Sequence, residues 1–174
     1  VYGGQEMFLS YVDHLHALGV LINFAEIGLL ILAVIHVTIG LILFVQNLRA
    51  RPVRYAVRKN GGGRTIGSAT MPYTGVVILV FLVFHLAGFH FSDHTDRTVY
   101  EILTGTFANP LYALLYVAAV VMVALHISHG FWSLFQTLGL NHAKYMPLVM
   151  GLNWLFAAAV AAGFGLIPGY VLMR

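Results

Sequence analysis

Along this chain the polar residues fall in clusters, and the apolar residues between them run on without alternation. Four such runs stand out, over about residues 24–46, 71–91, 110–136 and 147–172. Each is long enough to cross roughly 30 Å of hydrocarbon as a helix rising about 1.5 Å per residue. A membrane-spanning β-strand would alternate apolar and polar positions over about ten residues, and none of the four does. The pattern predicts an all-α transmembrane helical bundle, with four spans in a single membrane domain over residues 1–174.

Composition supports that reading and narrows the chemistry. Hydrophobic types make up 60% of the 174 residues and charged types 9%, where a soluble domain carries about a quarter charged residues. There is no cysteine, which excludes disulfides, thiolate-bound zinc and iron–sulfur clusters ligated by this chain. Metal chemistry here must use histidine or oxygen. The sequence starts at Val1 with VYGGQEMFLSYVDHLH in place of a signal peptide, which reads as a cut end.

Charge sets the topology. The segment LRARPVRYAVRKNGGGR holds Arg49, Arg51, Arg54, Arg58, Lys59 and Arg64, whereas SDHTDRTVYE is net acidic. Short basic loops stay in the cytoplasm, so the first loop is expected inside a bacterial cytoplasmic membrane, with both ends of this multi-pass segment outside. Lys144 then falls in the second inner loop. The basic segment suits both lipid headgroups and the docking of a cytoplasmic partner. Its GGGR lacks the following Lys-Ser/Thr and the strand context of a phosphate-binding loop. Nothing in the pattern calls for nucleic acid as a partner.

An ionisable group in hydrocarbon is costly and therefore a functional candidate. Of nine histidines, His36, His85, His126 and His129 lie well inside spans, and His90 lies nearer an outer end. His14, His16, His94 and His142 belong to loops or interfaces. Two stretches repeat a pattern: His36, Gly40, Gln46 in HVTIGLILFVQN and His126, Gly130, Gln136 in HISHGFWSLFQT. The first and third spans run in the same direction, and each histidine precedes its glutamine by ten residues, or about 15 Å of helix. Two histidines at one depth on parallel helices can approach one metal from opposite sides. A glycine one turn further on the same face lets a flat, bulky ligand approach the backbone. Together these suit haem held by two imidazoles, with the porphyrin edge over Gly40 and Gly130.

His129 competes with His126 for that role, being three residues on and near the same face, but in the repeat it aligns with Ile39. His85 is about thirteen residues from Pro72, roughly 20 Å along its helix, so it suits a second, more distal haem whose other ligand is not evident unless His90 serves. Buried histidines and small residues also occur at helix contacts for packing alone. A transporter or channel with a histidine proton relay is the haem-free alternative.

Longer segments carry a resemblance. FAEIGLLILAVIHVTIGLIL, RARPVRYA, LVFLVFHL, NPLYALLYVAAVVMVALHISHGFWSLFQTLGLNHAKYMPL and AAGFGLIPGY resemble the single-chain, dihaem cytochrome b membrane anchor of succinate:quinone oxidoreductases, the succinate dehydrogenases and fumarate reductases. The resemblance implies five helices in the complete chain and two b haems, each held by one histidine from each of two helices. His36 and His126 match the ligands of the haem nearer the cytoplasm, and His85 matches one ligand of the other. VYGGQEMFLS looks like the segment just after that family's first helix, whose histidine is not seen here.

By the same resemblance, a flavoprotein subunit interconverts succinate and fumarate, and an iron–sulfur subunit passes electrons. This subunit anchors both on the cytoplasmic side, relays electrons through haem iron and supplies the site for a quinone, usually menaquinone. Arg49, Arg51, Arg54 and Lys144 become candidates for the partner or for haem propionates. Glu26, with Glu6 and Asp13 before it, is a candidate for protons coupled to quinone, against the plainer reading of a helix N-terminal carboxylate. The chain itself holds no Ser-His-Asp or paired-carboxylate arrangement for the dicarboxylate chemistry. A higher oligomer of the complex is compatible with this picture. The cytochrome b of a hydrogenase or formate dehydrogenase is a related alternative that the long segments fit less well.

Overall fold

The structure, a computed structural model, describes residues 1–50, 53 and 65–174. It is all-α among these residues, with six α-helices: α1 (Gln5–Ala17), α2 (Val20–Arg49), α3 (Ile66–His85), α4 (Val99–Phe107), α5 (Pro110–Thr137) and α6 (Met146–Leu172). Four helical stretches are long and apolar enough to cross a membrane: α2, α3 with the π-helical turn that extends it to His90, α5 and α6. This makes the chain a multi-pass membrane protein, and the four apolar runs of the sequence each lie within one of these stretches apart from a residue or so at an end.

The chain divides into two compact units, one running essentially to Gly63 and one from Arg64 onward. In the first, α1 and α2 are separated by Leu18 and by Gly19 at φ +52°, a conformation that favours glycine. Helix α2 has no buried residue. Its apolar residues fall on all sides of the helix, interrupted within the span by Glu26, His36 and Thr38.

In the second unit α5 packs against both α3 and α6. On α6 the buried positions Val149, Asn153 and Ala157 recur at every fourth residue, with Pro168 further on. Gly165 of α6 sits so close to α5 that an added Cβ would lie 3.5 Å from Val120. Small residues at such contacts let helix backbones approach, which is how membrane helices gain packing energy when lipid removes the hydrophobic drive between them. Asn153 is fully buried, and its Nδ2 donates to the Ser128 carbonyl of α5 at 2.7 Å. That bond ties α5 to α6 at the level of the histidine-bearing stretch.

The helix ends have local causes. Thr65 begins α3 through a capping box in which its hydroxyl accepts from the Ser68 N–H, while the Ser68 hydroxyl accepts from the Thr65 N–H, both at 3.0 Å. Helix α5 opens on Asn109, whose side chain accepts from the Leu111 N–H, followed by Pro110. It closes in a Schellman motif: Gly139 takes φ +74°, its N–H bonds to the Gln136 carbonyl, and the Leu140 N–H bonds to Phe135.

Helix α4 starts on a second capping box, Thr98 with Glu101. The Thr98 backbone N–H and hydroxyl, donating to the carboxylate at 2.8 and 2.9 Å, hold the Glu101 carboxyl below its ordinary range. A depressed folded-state pKa means that this contribution is fully present above the ordinary carboxylate range and disappears as pH falls through the lowered value. The protection of amides at the start of α4, relative to their intrinsic exchange at each pH, should therefore fall in acid, and Glu101→Gln should flatten that pH dependence. An unchanged profile in the variant would separate the box from the stability of α4.

Candidate functional site

The site is built where α3 approaches α5. Gly67, Met71, Thr74 and Gly75 lie along one face of α3, at the three- and four-residue spacing that aligns side chains on a helix. A Cβ on Gly67 would fall 2.9 Å from the His129 Cβ, 3.1 Å from Ser128 Oγ and 3.2 Å from the Leu125 carbonyl oxygen. Only glycine permits that approach. Two turns on, a Cβ on Gly75 would lie 3.4 Å from Cε1 and 4.0 Å from Nδ1 of His126. The backbone of α3 thus runs beside the His126 imidazole.

Between these glycines stands Thr74, only 3% exposed. Its Oγ1 lies 3.1 Å from His126 Nδ1, and also 3.2 and 3.1 Å from the carbonyl oxygens of Thr70 and Met71. The carbonyls can only accept, and a hydroxyl proton turned to either of them, a common arrangement for threonine, leaves the oxygen to accept from elsewhere. A hydroxyl donating to Nδ1 would be the opposite case; with the rotor turned to a carbonyl, the threonine oxygen accepts from His126, the ring proton on Nδ1 and a lone pair on Nε2. This is the tautomer of a metal-ligating histidine whose outer nitrogen is held by a hydrogen-bond acceptor.

His129 is differently placed. Its ring meets Trp132 edge to face at 5.4 Å, and its Nδ1 is buried with no hydrogen-bond partner. Gly130 faces α3, where the terminal methyl of Met71 lies 3.4 Å from the position of an added Cβ. The space expected over Gly130 is therefore bordered by a flexible thioether, the side chain that most readily moves aside.

His85 sits eleven residues beyond Thr74 on α3, about 16 Å along the axis. Its depth differs from that of His126 by more than the count from Pro72 suggested, because α3 begins at Ile66 rather than near Met71. Aromatic rings surround it: Phe81 at 5.6 Å, Phe89 at 5.2 Å and Tyr116 of α5 at 5.9 Å between centroids. Its Nδ1 is buried and lacks a hydrogen-bond partner. Immediately after it the backbone makes a π-helical turn, Leu86–His90, closed by the Phe91 N–H on the Leu86 carbonyl at 2.9 Å. Such turns occur often at functional sites because they re-aim side chains within an otherwise regular helix.

His36 and Gly40 lie on α2, in the first unit, and an added Cβ on Gly40 would meet nothing within 4 Å. Glu26 is the seventh residue of α2, which starts at Val20 and has no acid in its first turn. The reading of Glu26 as a helix N-terminal carboxylate is corrected by that earlier start, since the dipole effect fades within one turn. Three of the four interfacial histidines have local partners. His14 Nδ1 bonds to the Ser10 carbonyl at 2.6 Å, His94 Nε2 to the Phe89 carbonyl at 3.0 Å, and His142 Nδ1 accepts from the Lys144 N–H at 3.2 Å. Arg49 ends α2 and Lys144 is exposed between α5 and α6. Arg51, Arg54 and the remaining basic residues to Arg64, with the GGGR stretch, lie outside the described residues.

Among the described residues no group of three or more His, Cys, Asp or Glu side chains gathers. A bis-imidazole iron asks for less, one nitrogen from each of two helices. No protein-family model, curated protein or solved structure matches the chain.

Proposed function

We propose that this chain is a haem-carrying membrane anchor of a succinate:quinone oxidoreductase, relaying electrons between an iron–sulfur partner and a membrane quinone. The observation that carries this reading is the repeat on two spans, His36-Gly40-Gln46 and His126-Gly130-Gln136. The long resembling segments supply the kind of complex.

The residues present fit the group. His126 Nδ1 lies within hydrogen-bond reach of Thr74 Oγ1, and with Nδ1 donating there Nε2 would be the ligating nitrogen. His36 on α2 is the proposed second ligand, and His85 one ligand of a second haem. When bound, b-type haem supplies one-electron transfer at a potential set by its axial ligands and their surroundings. The chain's own part is to hold the imidazoles at fixed depth, exclude water with the apolar faces of α3 and α5, and keep other charge away. Helices α3, α5 and α6 contain no Asp, Glu, Lys or Arg, so histidine is their one side chain that titrates near neutrality. A proton relay built on carboxylates in these three helices is thereby disfavoured. Arg49 and Lys144 are proposed to face the partner subunits, and Glu26 to serve protons on the quinone side.

The partner reading has its own test. Purified in mild detergent from its native membrane, the chain should bring down a flavin-bearing subunit and an iron–sulfur subunit, with succinate-dependent reduction of a menaquinone analogue in the same fraction. A haem-containing preparation that lacks both subunits, or that carries a hydrogenase or formate dehydrogenase instead, would overturn the succinate reading and leave the haem reading intact.

A further inference from the structure

We propose that Thr74 is a positioning residue for His126, fixing the tautomer and the ring plane of a haem ligand from a neighbouring helix; this rests on the haem reading above. The bond spans fifty-two residues of sequence and joins α3 to α5. In the proposed arrangement the hydroxyl oxygen is the acceptor, its proton turned to the Thr70 or Met71 carbonyl at 3.2 or 3.1 Å. Those carbonyls already serve the helical ladder, so they hold the hydroxyl rotor without depending on it.

The ring is held at two points. Nδ1 is bonded to Thr74 and the Cε1 edge lies against the backbone at Gly75. Turning the imidazole about its Cβ–Cγ bond would break the first contact and drive the second into the helix. An acceptor on the outer nitrogen also makes the inner nitrogen a stronger donor to iron, which favours the ferric state. Thr74 thus serves the relay without touching the iron. His85 and His129 have no such partner on Nδ1, so among the three histidines of α3 and α5 this device belongs to His126.

The test uses the full chain, purified with haem, and the nearly isosteric change Thr74→Val. Haem affinity at the site that His126→Ala empties should fall about 10–100-fold. The midpoint potential of that haem should rise, and its ferric electron-paramagnetic-resonance g-values should shift as the imidazole plane loosens, while any second haem keeps its potential. Thr74→Ser should restore all three. If potential, g-values and affinity are unchanged in Thr74→Val although His126→Ala removes the haem, the proposal on Thr74 is overturned and the haem reading stands. If the wild-type chain binds no haem at all, the haem reading itself has failed.

Should the valine variant not assemble, the wild type still decides. In the reduced, diamagnetic form with labelled histidine, the His126 Nδ1 proton should show the shift of a hydrogen bond to oxygen and resist exchange with deuterium. A rapidly exchanging, unbonded proton there would contradict the proposal.

Discussion

On the proposed haem reading, replacing His126 with alanine is expected to abolish one b-type haem. The reduced absorbance of that haem should disappear. If both histidines serve one iron, as proposed, His36→Ala should give the same loss, and a double variant should lose no more than either single one. His129→Ala leaves that haem in place. His129 lies against Trp132 and beside Gly67, where its Cβ packs on α3, and nothing holds its Nδ1 in a ligand's orientation. Optical titration of the four preparations against dithionite, normalised to protein, checks this. A His129→Ala variant that loses the haem while His126→Ala keeps it would reverse the assignment.

The second large effect is on assembly. Gly67→Val forces α3 away from α5, because two of the three nearest atoms, the Leu125 carbonyl oxygen at 3.2 Å and the His129 Cβ at 2.9 Å, belong to the backbone or sit directly on it. Neither can swing aside. Overpacking of this kind costs about 1–3 kcal/mol. Here the displaced helix also carries Thr74, two turns further on, so the bond to His126 is strained along with the packing. Thermal unfolding in detergent should show the loss, and haem retention on heating should fall with it. Gly105→Ala is a useful control, since a Cβ there would meet nothing within 4 Å and alanine favours a helix more than glycine does. Equal stability of Gly67→Val and wild type would mean that α3 and α5 are not in the close contact described.

The spans were legible because uninterrupted apolar runs have one economical solution in lipid, a helix that satisfies its own backbone. Their ends were less so. Helix α3 starts at Ile66 because Thr65 and Ser68 cap it, and both residues lie outside the apolar run that marked the span. Helix α4 falls partly within a stretch taken for an acidic loop, although Thr98 and Glu101 stand at the spacing of a capping box. That signal was present and could have found it. Helix α1, at Gln5–Ala17, carries too mixed a pattern to stand out beside the spans.

At the site, spacing along single helices was informative and contact between helices was not. The His-x-x-x-Gly repeat can be seen in one line of sequence. Phe81 and Phe89, each four residues from His85, could have been anticipated as its neighbours, but Tyr116 of α5 could not. Thr74 reads in isolation as an unremarked polar residue within a span. Its meaning comes from α5 lying close enough for a hydroxyl to meet an imidazole, which in turn depends on glycine at positions 67 and 75. The position of Glu26 was misjudged for a related reason, because α2 begins at Val20, ahead of the run that marked it.

The central claim is that these histidines hold iron in haem. It is tested most directly by the reduced-minus-oxidised absorption spectrum of the purified chain, produced with haem available. Sharp bands of a low-spin, bis-imidazole b haem, bound without covalent attachment and stoichiometric with protein, are the result predicted here. A well-folded preparation with no such bands would contradict it and turn the repeat of His36 and His126 into a matter of helix packing.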